Sequence, residues 1–141
     1  MQKEMDVLLI NKLKDFFTAR QEVLFAWLFG SYARGRSHSH SDIDIAVYLK
    51  DRSLLNDADW YLGLKAEIMV LTHREIDLII LNNAKPLVKH AANMHKVMLL
   101  SRDALFEAEY SLRIVKEYND VRYWARRSRQ HLLGGQNHGQ A

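Results

Sequence analysis

Three aspartates and a glycine–serine pair are the residues of this chain best suited to chemistry. Asp42 and Asp44 flank a single isoleucine at the head of 43-IDIAVYL-49, and Asp77 stands near the start of a similar apolar run, 75-EIDLIIL-81. In an extended strand residues i and i+2 face the same way, about 6–7 Å apart, so Asp42 and Asp44 present two carboxylates to one side. Oxygen donors at that separation can hold a pair of magnesium ions, with Asp77 on a neighbouring strand as a third ligand. Taken singly, each aspartate has a plainer account as a strand-end charge or a helix cap. Together, beside a core, unpaired carboxylates are costly unless something cationic meets them.

Upstream, the apolar run 23-VLFAWLF-29 ends on Gly30-Ser31. Glycine there lets the backbone approach a ligand closely or adopt positive φ, and the amides that follow form an anion-binding concavity. The Ser31 hydroxyl adds a donor to a phosphate, and Arg34 and Arg36 just downstream can pair with its oxygens. The same dipeptide also makes an ordinary turn. Its place opposite three carboxylates is what points to a phosphate.

These residues need a scaffold, and the hydrophobic pattern supplies one. Met5, Leu8, Leu9, Leu13, Phe16 and Phe17 recur at helical spacing over residues 5 to about 20. The run 23–29 reads as a buried strand, 43–49 alternates as a strand, 54–72 reads as a helix, and 75–81 as a third strand. Pro86 suits the first turn of a helix to about Val97, and one long helix fits Asp103 to about Leu132. The order α-β-α-β-α-β-α-α predicts an α/β (α+β) fold with a small mixed sheet covered by helices. One domain over residues 1–133 and a flexible C-terminal tail over 134–141 complete the expected layout.

Gly30-Ser31, ten intervening residues and Asp42-x-Asp44 resemble the GSx10DxD signature of the nucleotidyltransferase superfamily that includes polymerase beta. Ala33-Arg34-Gly35 and the strand-borne Asp77 extend the likeness, which covers the chain from the first helix to about Ser101. It is most similar to the minimal nucleotidyltransferases, antitoxins paired with HEPN-domain toxins. The resemblance implies a polymerase-beta-like core, ATP as donor, Mg²⁺ as cofactor and transfer of AMP to a hydroxyl. It further implies a cognate HEPN ribonuclease toxin as partner and a toxin tyrosine as acceptor. Adenylylation chemistry agrees: Asp42 and Asp44 would hold the nucleotide-associated ion, Asp77 the second, and Gly30 and Ser31 the β- and γ-phosphates.

Composition narrows the alternatives. The chain has 141 residues, no cysteine and a formal net charge of +3, which removes thiolate chemistry and gives no case for direct nucleic-acid binding. No stretch is long and apolar enough for a membrane span and MQKEMD does not read as a signal peptide, so a cytoplasmic site of action is expected. His38 and His40 read as members of a polar loop, because magnesium prefers the nearby carboxylates. Arg126 and His131 have the Arg-x4-His spacing of HEPN ribonucleases, but no residues remain to build that helical bundle. Arg122, Arg126, Arg127 and Arg129 read as a solvated face or as a docking surface. Two other functions compete with AMP transfer to a toxin. One is neutralisation by binding alone; the other is a small-molecule transferase of the aminoglycoside-modifying kind. The latter needs an acceptor domain, and only about 60 residues follow the third strand.

Overall fold

A strand apolar on both faces must be covered on both, and that requirement organises the molecule. In the computed structural model, which describes residues 2–36 and 41–138, the run Val23–Phe29 forms β1 at the interior of a four-stranded sheet. Its antiparallel neighbours are β2 (Ile43–Leu49) and β4 (Val97–Ser101), and β3 (Ile76–Ile80) lies parallel to β2 at the edge. The order is β3-β2-β1-β4. The expected small mixed sheet is present.

Each face of β1 has its own core. Ala26 and Leu28, with Ile43, Ile45 and Val47 of β2, pack under α1 (Gln2–Thr18) and α3 (Ala58–Thr72) through Leu13, Phe17, Leu64 and Ile68. Phe25, Trp27 and Phe29 point the other way, toward α4 (Pro86–Asn93) and α5 (Ala104–His138). That second core is aromatic: Phe25 stacks on Trp27 and Tyr48 with ring centroids 5.2 and 5.0 Å apart, and Tyr110 of α5 closes over all three. Such rings bury large areas with fixed geometry, so this face holds α5 firmly where it is covered.

The fourth strand corrects the expected element order. The helix starting at Pro86 stops at Asn93, four residues short of Val97, because Met94 is extended and His95 takes φ 54°. Helical geometry cannot continue through a left-handed residue, and Val97–Ser101 then pairs with β1 instead. A short apolar run such as 97-VMLL-100 suits helix and strand equally in sequence. The segment 54–72 also divides: Arg52–Leu54 forms a 3-10 turn, and α3 begins where the Asp57 carboxylate accepts from the Trp60 amide at 3.0 Å.

At the sheet's far end Arg102 ties β4 to the end of α1. Its guanidinium donates to the carbonyls of Val23, Phe17, Thr18 and Arg20 at 2.9–3.2 Å. Carbonyls at a helix C-terminus lack intrahelical donors and carry partial negative charge, so a cation there serves both needs. The helix α5 starts on the Asp103 cap and runs to His138, so 134–138 of the expected tail has helical backbone. Among the described residues no helix is long and apolar enough to cross a membrane.

Candidate active site

The sheet register brings the glycine–serine turn and the aspartates to one end. Phe29 is opposite Asp44 on β2, and Asp44 is opposite Asp77 on β3. Asp44 and Asp77 fall on the same face as Trp27 and Tyr48, but beyond the cover of α4 and α5. Asp44 is half-buried and Asp42 and Asp77 are exposed.

Directly after Phe29 the chain turns through Gly30, at φ 73°, into the single helical turn α2 (Gly30–Ala33). A β-carbon on Gly30 would collide with the Asp44 Oδ2. Two independent reasons thus require glycine: the left-handed backbone and the carboxylate lying against its α-carbon. The turn closes with amide bonds from Arg34 to the Gly30 carbonyl (3.2 Å) and from Arg36 to the Ser31 carbonyl (2.9 Å).

Asp44 carries the electrostatic tension of the site. Burial pushes its carboxyl up to about 6, the charges of Asp77 and then Asp42 push the same way, and Asp77 shares a hydrogen bond with it. Asp44 and Asp77 are therefore in contact. Asp42, just ahead of β2, acts on Asp44 through charge while lining a shallow cavity of about 290 Å³ with Arg74 and Glu75. Among the described residues no three His, Cys, Asp or Glu side chains are gathered tightly enough to hold a metal ion as they stand. The donor set still fits magnesium in kind: all ligating atoms are carboxylate oxygens, and a divalent cation would relieve the repulsion that raises the Asp44 carboxyl.

Residues 11–105 match the family described as Polymerase beta, Nucleotidyltransferase. The chain belongs to that family. It is also similar to the Shewanella oneidensis protein named Protein adenylyltransferase MntA, at 37% identity over 84 residues, 60% of this chain and 56% of that one. The chain thus spans little more than half the length of that curated relative. Among solved structures, a toxin–antitoxin complex with AMP-PNP matches with TM-score 0.70 at 22% identity, covering 88% of this chain and 96% of that one. A complex of the tri-AMPylated Shewanella oneidensis HEPN toxin with its MNT antitoxin matches with TM-score 0.64 at 20% identity, covering 95% and 97%. At these identities the structures establish a shared nucleotidyltransferase fold.

Within this nucleotidyltransferase, Arg34 and Arg36 are exposed and lie on one side of a cavity of about 530 Å³. The opposite wall holds two residues that sequence reasoning did not single out, His95 and Lys96. Lys96 lies 4.2 Å over the Trp27 ring and donates to the Ser111 Oγ at 2.7 Å and to Asn93. Burial lowers its ammonium from the usual lysine range, and the charge of Glu107 partly opposes this. No sequence signal marks it, because its place depends on the strand β4 that the periodicity concealed.

The other sequence candidates separate from the site. His38 and His40 lie outside the described residues. Arg126 and His131 are exposed on the far end of α5, and five helical residues set them about 140° apart around its axis. They are not a joined pair.

Proposed function

We propose that this chain is a Mg²⁺-dependent protein adenylyltransferase and an antitoxin. In this reading it transfers AMP from ATP to a tyrosine of a cognate HEPN ribonuclease toxin, in the cytoplasm where its donor is found. The observation that carries the reading is the contact between Gly30 and Asp44, which sets a phosphate-binding turn directly against a carboxylate pair. The family membership, the similarity to a protein adenylyltransferase and the fold shared with toxin–antitoxin complexes support it.

In this reading each group has a distinct role. The amides that open the α2 turn lie beyond the last β1–β2 pair, and with the Ser31 hydroxyl they donate to the β- and γ-phosphates. Arg34 and Arg36, on the cavity side of the same turn, neutralise charge that develops on the pyrophosphate. Asp42, Asp44 and Asp77 would hold the magnesium ions, which on binding neutralise phosphate charge and acidify the incoming hydroxyl. The tyrosine oxygen attacks the α-phosphorus, the bond to the β-phosphate oxygen breaks, and pyrophosphate leaves. Asp77, exposed at the sheet edge, takes the phenolic proton on a carboxylate oxygen. Asp44, whose carboxylate lies against Gly30, would fix the turn in place beside the ion that it helps hold.

The test is to incubate toxin, ATP and Mg²⁺ with this chain and weigh the toxin. AMP adducts on tyrosine are expected, absent when Asp42 and Asp44 are both asparagine. A silenced but unmodified toxin would establish neutralisation by binding alone.

A further inference from the structure

The buried face of α5 continues past the end of the domain. Tyr110 and Ile114 are the helix residues sunk into the aromatic core. The last packed contacts follow within a turn: Glu117 pairs with Lys89 at 2.8 Å, and Tyr118 stacks on His90 with ring centroids 3.5 Å apart. From Asn119 to Leu133 every residue is exposed. At 100° per residue, Val121, Trp124, Ala125, Ser128 and Leu132 lie within about 60° of the line through Tyr110 and Ile114. The same stripe that packs the core therefore runs on for about 17 Å with no described residue beneath it. Val121, Trp124 and Leu132 are 41%, 63% and 67% exposed.

Charge identifies what covers it. Val121 to Leu133 holds four arginines and no carboxylate. Arg122 and Arg129 line one flank of the stripe, while Arg126 and Arg127 lie on the far side of the helix, Arg127 beside Tyr123 with its guanidinium 6.0 Å from the ring. Two copies packed stripe to stripe would bring these arginines together with no carboxylate of residues 121–133 to neutralise them, which disfavours self-association. A partner with an apolar groove and an acidic rim meets both demands, with Trp124 as the anchor and apolar contacts at helical spacing.

We propose that this ridge on α5 docks the toxin in such an acidic-rimmed groove; the inference rests on the toxin-directed reading above and adds the surface that holds the partner. It also gives the acceptor tyrosine a fixed route to the site, since α5 packs on the same sheet face that carries Asp44 and Asp77.

The experiment compares the wild-type chain with the double variant Trp124→Glu Leu132→Glu, both checked as folded by circular dichroism. Affinity for purified cognate HEPN toxin is measured by calorimetry. Loss of at least about 30-fold in toxin affinity is expected, with ATP binding unchanged, because two exposed apolar anchors become charges. Charge reversal of Arg122 and Arg129 to glutamate should weaken toxin binding and remove much of its salt dependence. Native toxin affinity in the double variant overturns the proposal even where AMP adducts form, leaving the catalytic reading intact. Lost affinity with no AMP adducts from the wild type sustains the docking surface and sinks the catalytic reading. A wild-type dimer in sedimentation that dissociates on the double substitution, or no toxin binding by the wild type, overturns the assignment of the occupant.

Discussion

The Asp44 carboxylate fills the space that a Gly30 side chain would take. This single contact locks the Gly30 turn to the acidic cluster, so neither can shift without the other. It also separates what glycine does here from what it does in an ordinary turn.

Replacing Gly30 by alanine should therefore do two kinds of damage. The positive φ and the collision with Asp44 cost about 1–3 kcal/mol of stability. Displacement of the carboxylate and the turn should lower ATP affinity by about tenfold or more. Thermal melts and ATP titration calorimetry measure the two effects separately; ATP affinity equal to wild type would make Gly30-Ser31 a structural turn only.

Asp44→Asn should stabilise the metal-free protein at pH 7.5. The folded-state carboxyl is raised to about 6 from a usual value of 3.8. Its protonated form is thus favoured by folding, and that stabilisation is complete below pH 3.8 and lost as the pH rises through 6. Above pH 6 the ionised wild type is penalised and asparagine is not. Allowing for solvent screening at a half-exposed group, the gain is about 1 kcal/mol, shrinking toward zero near pH 4. Melting curves in EDTA across this pH range are the measurement, and magnesium should raise the wild-type midpoint while leaving the variant's unchanged.

The double variant Asp42→Asn Asp44→Asn should lose AMP transfer by about 10³-fold or more while keeping the fold. Asparagine is close in shape to aspartate and leaves no cavity, but removes the charge that a divalent ion requires. Transfer at the native rate by a folded double variant would refute the ligand assignment.

Arg102→Ala should destabilise the protein by about 2 kcal/mol without changing ATP affinity. Its guanidinium satisfies carbonyls at the end of α1 and in β1, and their loss leaves acceptors unpaired at a helix C-terminus. Urea unfolding gives the stability, and calorimetry with ATP gives the control.

The candidate site's residues stand out in sequence more sharply than some of the elements around them. Gly30, Ser31, Asp42, Asp44 and Asp77 stand out because their chemistry conflicts with their surroundings, a carboxylate or a glycine where an apolar strand would otherwise run. Strands β1 to β3 were visible for the same reason that they are buried: their apolar residues alternate or run unbroken. β4 was not visible, because 97-VMLL-100 has no period of its own and the break before it is a left-handed histidine, a residue type that sequence patterns rarely place there. Lys96 disappeared with it, since only pairing of β4 with β1 brings its ammonium over Trp27. The contact between Asp44 and Asp77 depends on parallel register, which no local signal encodes.

The position of β1 in the sheet also sets the order in which this chain can be made. The strand is synthesised well before one of its two sheet neighbours, β4, and before the helix that covers its aromatic face. Trp27 reaches its hydrogen-bond partner Glu107, at 2.7 Å, across 80 residues. Until α5 emerges, a nascent chain carries Phe25, Trp27 and Tyr48 on an uncovered face with an unpaired strand edge beside them. Such intermediates bind one another as readily as they fold. Production of this protein is thus most vulnerable to a stall or truncation after β3, when strands β1 to β3 exist and the half of the core that α5 completes does not.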